Sequence, residues 1–131
     1  MEEHILVGLS SAPSNARIIR TAATMAAAFG CKFTALFVRT PGYDAMSEEN
    51  KERLRTNTEL AKSLGATVET VFGDDVSYQI AEYARLSGVT KIVVGRSAAT
   101  RKHPWGKPTL TEKLTAIAPN LAKYLCRLAC E

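Results

Sequence analysis

The strongest constraint on this chain is an alternation of short apolar runs with helical patterns. The runs are "HILVGL" at 4–9, "FTALFV" at 33–38, "TVETVF" at 67–72 and "KIVVG" at 91–95. The first, second and fourth are nearly continuously apolar, as strands covered on both faces require. The third alternates, with Val68 and Phe72 around Glu69, and suits a strand nearer an edge.

Between the runs the apolar period changes to that of a helix. Over 14–29, Ile18, Ala22, Met25, Ala26 and Phe29 recur at helical spacing, with Gly30 placed to cap the end. Over 47–64, Ser47 is the expected N-cap, and Glu48 and Glu49 follow where the helix dipole favours acids. Leu54, Leu60, Ala61 and Leu64 form that helix's stripe, and Gly65 ends it. Over 75–87, Asp75 caps a helix carrying Val76, Ile80, Tyr83 and Ala84, with Gly88 behind it. "TLTE" at 109–112 has capping-box spacing ahead of Leu114, Ile117 and Ala118.

Strand followed by helix, four times over, predicts an α/β fold: a doubly wound open parallel sheet with right-handed crossovers and helices on both faces. At 131 residues the chain fits one domain, 1–131. Four strands are explicit. After Pro119-Asn120 the sequence supports either a fifth strand at 121–126 or a continued helix, since Leu121, Leu125 and Leu128 stand at helical spacing.

In such sheets ligands bind beyond the carboxyl ends of the strands. The four loops there are "SSAPSNAR" (10–17), "RTPGYD" (39–44), "GDD" (73–75) and "RSAATRKHPWGKP" (96–108). Ser10, Ser11 and Ser14 offer hydroxyls just ahead of a helix N-terminus, where free backbone N–H groups attract anions. Gly95, Arg96 and Ser97 join a close-approach glycine to a guanidinium and a hydroxyl, and Arg101, Lys102 and Lys107 add charge. That assembly suits a phosphate, although serines before helices and basic surface loops are also ordinary features. Trp105 and Tyr43 could stack on a base or simply anchor their loops.

Several classes are disfavoured. The sequence has no G-x-x-x-x-G-K-[ST] and no G-x-G-x-x-G after the first strand, against a P-loop enzyme and a dinucleotide-redox enzyme. "GRSAA" lacks the second glycine of a nucleophile elbow, and no catalytic residue is assigned. Cys31, Cys126 and Cys130 form neither a disulfide framework nor a complete metal site. A net charge of +4 without a recognisable module does not indicate nucleic acid. No apolar stretch approaches the ~20 residues that span a bilayer, and no signal-peptide pattern opens the chain, so the expected location is cytoplasmic.

"HILVGLS", "FTALFV", "VFGDDVSYQIAEYA" and "VTKIVVGRS" together resemble a universal stress protein domain, over residues 4 to about 120. "ILVGLSSAPSNARIIRTAATMAAAFGCKFTALFVRTPG" and "VVGRSAATR" are similar to the version found in KdpD-type potassium-sensor histidine kinases. The resemblance implies an adenine-nucleotide alpha-hydrolase-like fold, frequently dimeric, in the cytoplasmic region of a two-component sensor kinase. Some such domains bind cyclic di-AMP through a Ser-x-Ser pair and a Phe-Thr-Ala-x-Tyr stretch. Here those motifs fall on Ser10 with Ala12, and on Phe33, Thr34 and Ala35 with Phe37 in the tyrosine's place. Ser11 and Ser14 stand near the missing serine, and the resemblance also implies that Gly73 in the third loop belongs to the ligand site.

The ATP-binding branch carries Gly-x2-Gly-x9-Gly-Ser/Thr after strand 4. Gly95 matches, but the later glycines fall on Ala98 and Pro108, which obstruct a backbone phosphate cradle. The resemblance therefore implies a regulatory, non-enzymatic nucleotide-binding domain in potassium or osmotic signalling, with cyclic di-AMP as candidate ligand and ATP disfavoured. Its expected partners are neighbouring kinase domains, an acidic protein surface or a second copy. The alternatives are a ligand-free interaction module and a stand-alone ATP-binding stress protein.

Overall fold

The computed structural model describes residues 2–95 and 122–126. Within them the order is β1 (His4–Gly8), α1 (Asn15–Phe29), β2 (Lys32–Arg39), a short 3-10 turn (Pro41–Ala45), α2 (Glu48–Ser63), β3 (Thr67–Phe72), α3 (Val76–Ser87), β4 (Lys91–Gly95) and β5 (Ala122–Cys126). The strands form one parallel sheet in the order β3-β2-β1-β4-β5. The order reverses between β1 and β4, which makes that gap the switch point of the sheet.

The C-terminal alternative resolves as a strand. Val94 pairs with Leu125 and Gly95 with Cys126, so the open side of β4 is occupied. Pairing to a buried neighbour overrides the leucine spacing that reads helically. The basic loop, with Arg96, Ser97, His103 and Trp105, and the helix expected from 109, lie outside the described residues.

Side-chain alternation along the strands divides the core into two layers. Ile5, Val7, Phe33, Ala35 and Val93 face α1 and α2, whose Ile19, Ala22, Leu54 and Ala61 close that side. Leu6, Leu36, Val38, Ile92 and Val94 pack with Ile80, Ala81 and Ala84 of α3 on the other. Ile5, Leu6, Ile19, Leu36 and Ile92 are fully buried. Such a side chain contributes on the order of 1.5–3 kcal/mol relative to exposure. These contacts hold the carboxyl ends of the strands in a fixed row.

The caps follow the sequence. The Ser47 hydroxyl accepts from the Asn50 N–H at 3.1 Å, and the Asp75 carboxylate accepts from the Tyr78 N–H at 3.2 Å. Gly30 and Gly88 end α1 and α3 in the left-handed conformation, with φ of 62° and 70°. Phe29 departs from the expected stripe: it is 51% exposed, at the last residue of α1. The Lys91 ammonium lies 4.9 Å from its ring.

That lysine belongs to a polar cluster at the amino ends of the strands. Lys91 donates to the Glu3 carboxylate at 2.7 Å and the Thr90 hydroxyl donates to it at 2.6 Å. The Lys91 hydrogen bond, with Thr90 second, holds the Glu3 carboxyl below the usual glutamate range. Beside it the buried His4 ring bridges two elements. Nδ1 lies 3.1 Å from the Ser87 carbonyl oxygen, which can only accept, so Nδ1 carries a proton; Nε2 meets the Thr34 hydroxyl at 2.7 Å.

Candidate functional site

The carboxyl ends of β1 and β2 open into a crevice of about 350 Å³. Ser10 and Ser11 line one side, Gly42, Tyr43 and Met46 another, and Leu36, Phe37 and Ile80 supply apolar walls. Its size falls within the range of small-molecule sites. A smaller hollow of about 160 Å³ continues over the switch point, lined by Gly8, Ser10, Asn15, Ile92 and Val94. A third, of about 320 Å³, lies beyond β3 around Arg39, Thr40, Phe72, Gly73 and Asp74.

The β1–α1 loop is held by side chains from two helices. The buried Asn15 amide donates to the Gly8 carbonyl at 3.0 Å and accepts from the Ser10 N–H at 3.2 Å. From α2, the buried Asn57 donates to the Ser10 carbonyl at 2.9 Å, and Arg53 donates to the Ser11 carbonyl at 3.1 Å. Both backbone groups of Ser10 are therefore satisfied. The Ser10 hydroxyl accepts from the Ala12 N–H at 3.2 Å, which leaves its own proton for a ligand. Ser14 precedes α1 without a side-chain capping bond, and the first turn of that helix carries no acid.

The crevice lining is also aromatic. Tyr43, in the 3-10 turn, meets Phe37 edge-on at a centroid distance of 5.8 Å. The Arg39 guanidinium lies 4.1 Å from the Tyr43 ring centroid, and the Lys51 ammonium 5.3 Å. Arg39 also pairs with Asp44 at 3.2 Å. Among the described residues, no group of three or more His, Cys, Asp or Glu could hold a metal ion.

The residues picked from sequence divide clearly. Ser10, Ser11 and Phe37 line the crevice, and Gly73 lines the hollow beyond β3, its N–H bonded to the Arg39 carbonyl at 3.2 Å. Gly95 ends β4 beside the switch point. Arg96 and Ser97 lie outside the described residues. Phe33, Thr34 and Ala35 line none of these hollows: they sit in the amino-terminal half of β2, buried, paired with Ile5, Leu6 and Val7. The Thr34 hydroxyl is engaged by His4. Sequence reading missed Asn15, Asn57 and Arg53. The only local signal was a polar Asn57 on the apolar side of α2.

The fold recurs in solved structures. A universal stress protein in complex with cAMP superposes with a TM-score of 0.71 at 21% identity, over 96% of this chain and 97% of that one. One from Archaeoglobus fulgidus in complex with dAMP gives 0.61 at 19%, over 95% and 98%. The fold is thus that of the universal stress proteins. No protein-family model matches the chain. In sequence it is 42% identical over 95 residues to the sensor protein KdpD of Clostridium acetobutylicum, covering 72% of this chain and 10% of that protein. It is 29% identical over 124 residues to KdpD of Escherichia coli, covering 95% and 14%. The chain belongs to the universal-stress-type domains of the KdpD kind. It spans only 10–14% of the length of these relatives.

Proposed function

We propose that this chain is the ligand-sensing domain of a KdpD-like sensor histidine kinase, acting on the cytoplasmic side in potassium or osmotic signalling. The domain itself is non-catalytic, and its crevice takes an adenine-containing nucleotide, with cyclic di-AMP as candidate and ATP disfavoured. The observation that carries this reading is the crevice itself: about 350 Å³, lined by Ser10 and Ser11 together with the aromatic pair Phe37 and Tyr43. Structural relatives in complex with cAMP and dAMP support the adenine part. No described helix is long and apolar enough to cross a membrane.

In this reading the base lies against Phe37 and Leu36, and phosphate meets the serine loop with Arg96 and Ser97. Phe33, Thr34 and Ala35 act through the placement of β2. Binding shifts the population of conformations that neighbouring kinase domains, or a second copy, can dock against. Calorimetric titration of the chain with cyclic di-AMP, ATP and AMP tests it. Selective binding at micromolar concentration or tighter, weakened in Arg96→Ala, is the expected result. A folded sample that binds none of the three defeats the sensor reading and leaves a protein-interaction module.

A further inference from the structure

A separate hollow of about 290 Å³ lies between α2 and the β2–β3 pair. Leu9, Phe37 and Tyr43 line both it and the crevice, so the two cavities share a wall. Its apolar lining adds Leu54 and Val68. Around these stand Arg39, Lys51 and Arg55, against the single carboxylate of Glu59.

Each cation has an acidic partner, but Asp44, Glu48 and Glu52 do not line the hollow. The Glu48 side chain is 93% exposed, whereas that of Lys51 is 25% exposed. Lys51 is therefore the least screened of the three cations, while Arg39 and Arg55 stand at the rim, 41% and 66% exposed. Arg39 and Lys51 also converge on one aromatic ring, that of Tyr43. An anion meeting Lys51 would offset part of that like charge.

Apolar floor, aromatic wall and cationic rim together select a ring that carries a negative group. At about 290 Å³ the hollow lies just under the usual range of small-molecule sites and accommodates a single ring. We infer that this hollow is a second ligand site, for a small single-ring anion whose carboxylate or phosphate meets Lys51 and Arg55. The ring packs on Phe37, Leu54 and Val68. The site is distinct from the crevice, with which it shares Leu9, Phe37 and Tyr43.

Methyl NMR on the full chain tests the assignment, with benzoate and phenyl phosphate as the two anionic probes and benzamide as the neutral control. Saturable shifts at the Leu54 and Val68 methyls are expected with at least one anion, and which one binds identifies the anionic group. Benzamide should bind about tenfold more weakly or worse, and Lys51→Met or Arg55→Met should cost a similar factor. Arg55 is well exposed, so its replacement leaves the fold intact. No saturable shift at these methyls with either anion overturns the site. So does equal binding of benzamide, or unchanged affinity in both variants. Leu36 and Ile80 line the crevice and not this hollow, so shifts confined to them also overturn it. The same two residues report separately on the nucleotide reading.

Discussion

Replacing Asn15 with alanine should cost this domain about 2–3 kcal/mol, although the substitution improves helix propensity. The amide makes two hydrogen bonds, to the Gly8 carbonyl at 3.0 Å and from the Ser10 N–H at 3.2 Å. Each is worth roughly 1 kcal/mol net, and a partly buried backbone group left without a partner adds about 1 kcal/mol more. Alanine in the first turn of α1 returns roughly 0.5 kcal/mol. Urea denaturation followed by circular dichroism reads the difference. With an m-value of ~2 kcal/mol/M, the midpoint should fall by about 1–1.5 M. Asn57→Ala acts on the same peptide from α2, through the 2.9 Å bond to the Ser10 carbonyl. Because both side chains hold Ser10, the double variant should depart from additivity by at least about 0.5 kcal/mol. A loss under roughly 0.5 kcal/mol for Asn15→Ala, with an unchanged m-value, would refute the view that these amides pin the loop.

Further outcomes follow from the caps and the polar cluster. Asp75→Ala removes the bond to the Tyr78 N–H and should cost about 1 kcal/mol, with Asp75→Asn nearly neutral, in the same urea assay. Gly88→Ala should cost roughly 1–2 kcal/mol, because φ is 70° there while the added Cβ meets nothing within 4 Å. A near-zero effect on the melting temperature would contradict that backbone argument. Glu3 has its carboxyl lowered in the fold by Lys91 and then Thr90. Its stabilising contribution is therefore complete above the ordinary glutamate range and is lost as pH falls through its lowered folded-state value. Urea midpoints of the parent and Glu3→Gln across pH should differ near neutrality and converge in acid; a gap that persists in acid would contradict the linkage.

The scaffold was legible because its signals are local. Continuous apolar runs marked the inner strands, the alternation around Glu69 marked β3 as an edge, and Ser47, Asp75 and Gly88 marked helix ends. Phe29 was misplaced because helical spacing says which face a residue shares, not how far that face stays covered at the helix end. The last strand looked helical because its β character comes from pairing with β4, which no local pattern records. At the site, the rule for open sheets located the loops, and Ser10, Ser11 and Phe37 came with them. The clamps did not: Arg53 and Asn57 lie 42 and 47 positions from the residues they hold. Thr34 appeared in a binding motif, yet strand direction places it toward the far end of β2, where it serves His4.

The two walls of the crevice differ in how firmly they are set. Asn15, Asn57 and Arg53 fix the serine loop before any ligand arrives, so association need not wait for that loop to order. The Pro41–Ala45 turn, by contrast, has no buried residue and runs within two positions of the Ser47 cap of α2. A ligand pressing on Tyr43 therefore meets the wall without buried anchors, and that wall leads directly into the start of a sixteen-residue helix. Amide exchange should slow at 42–44 on binding and stay constant at 10–12. The crevice would then work as a fixed jaw and a moving one, with α2 as the lever.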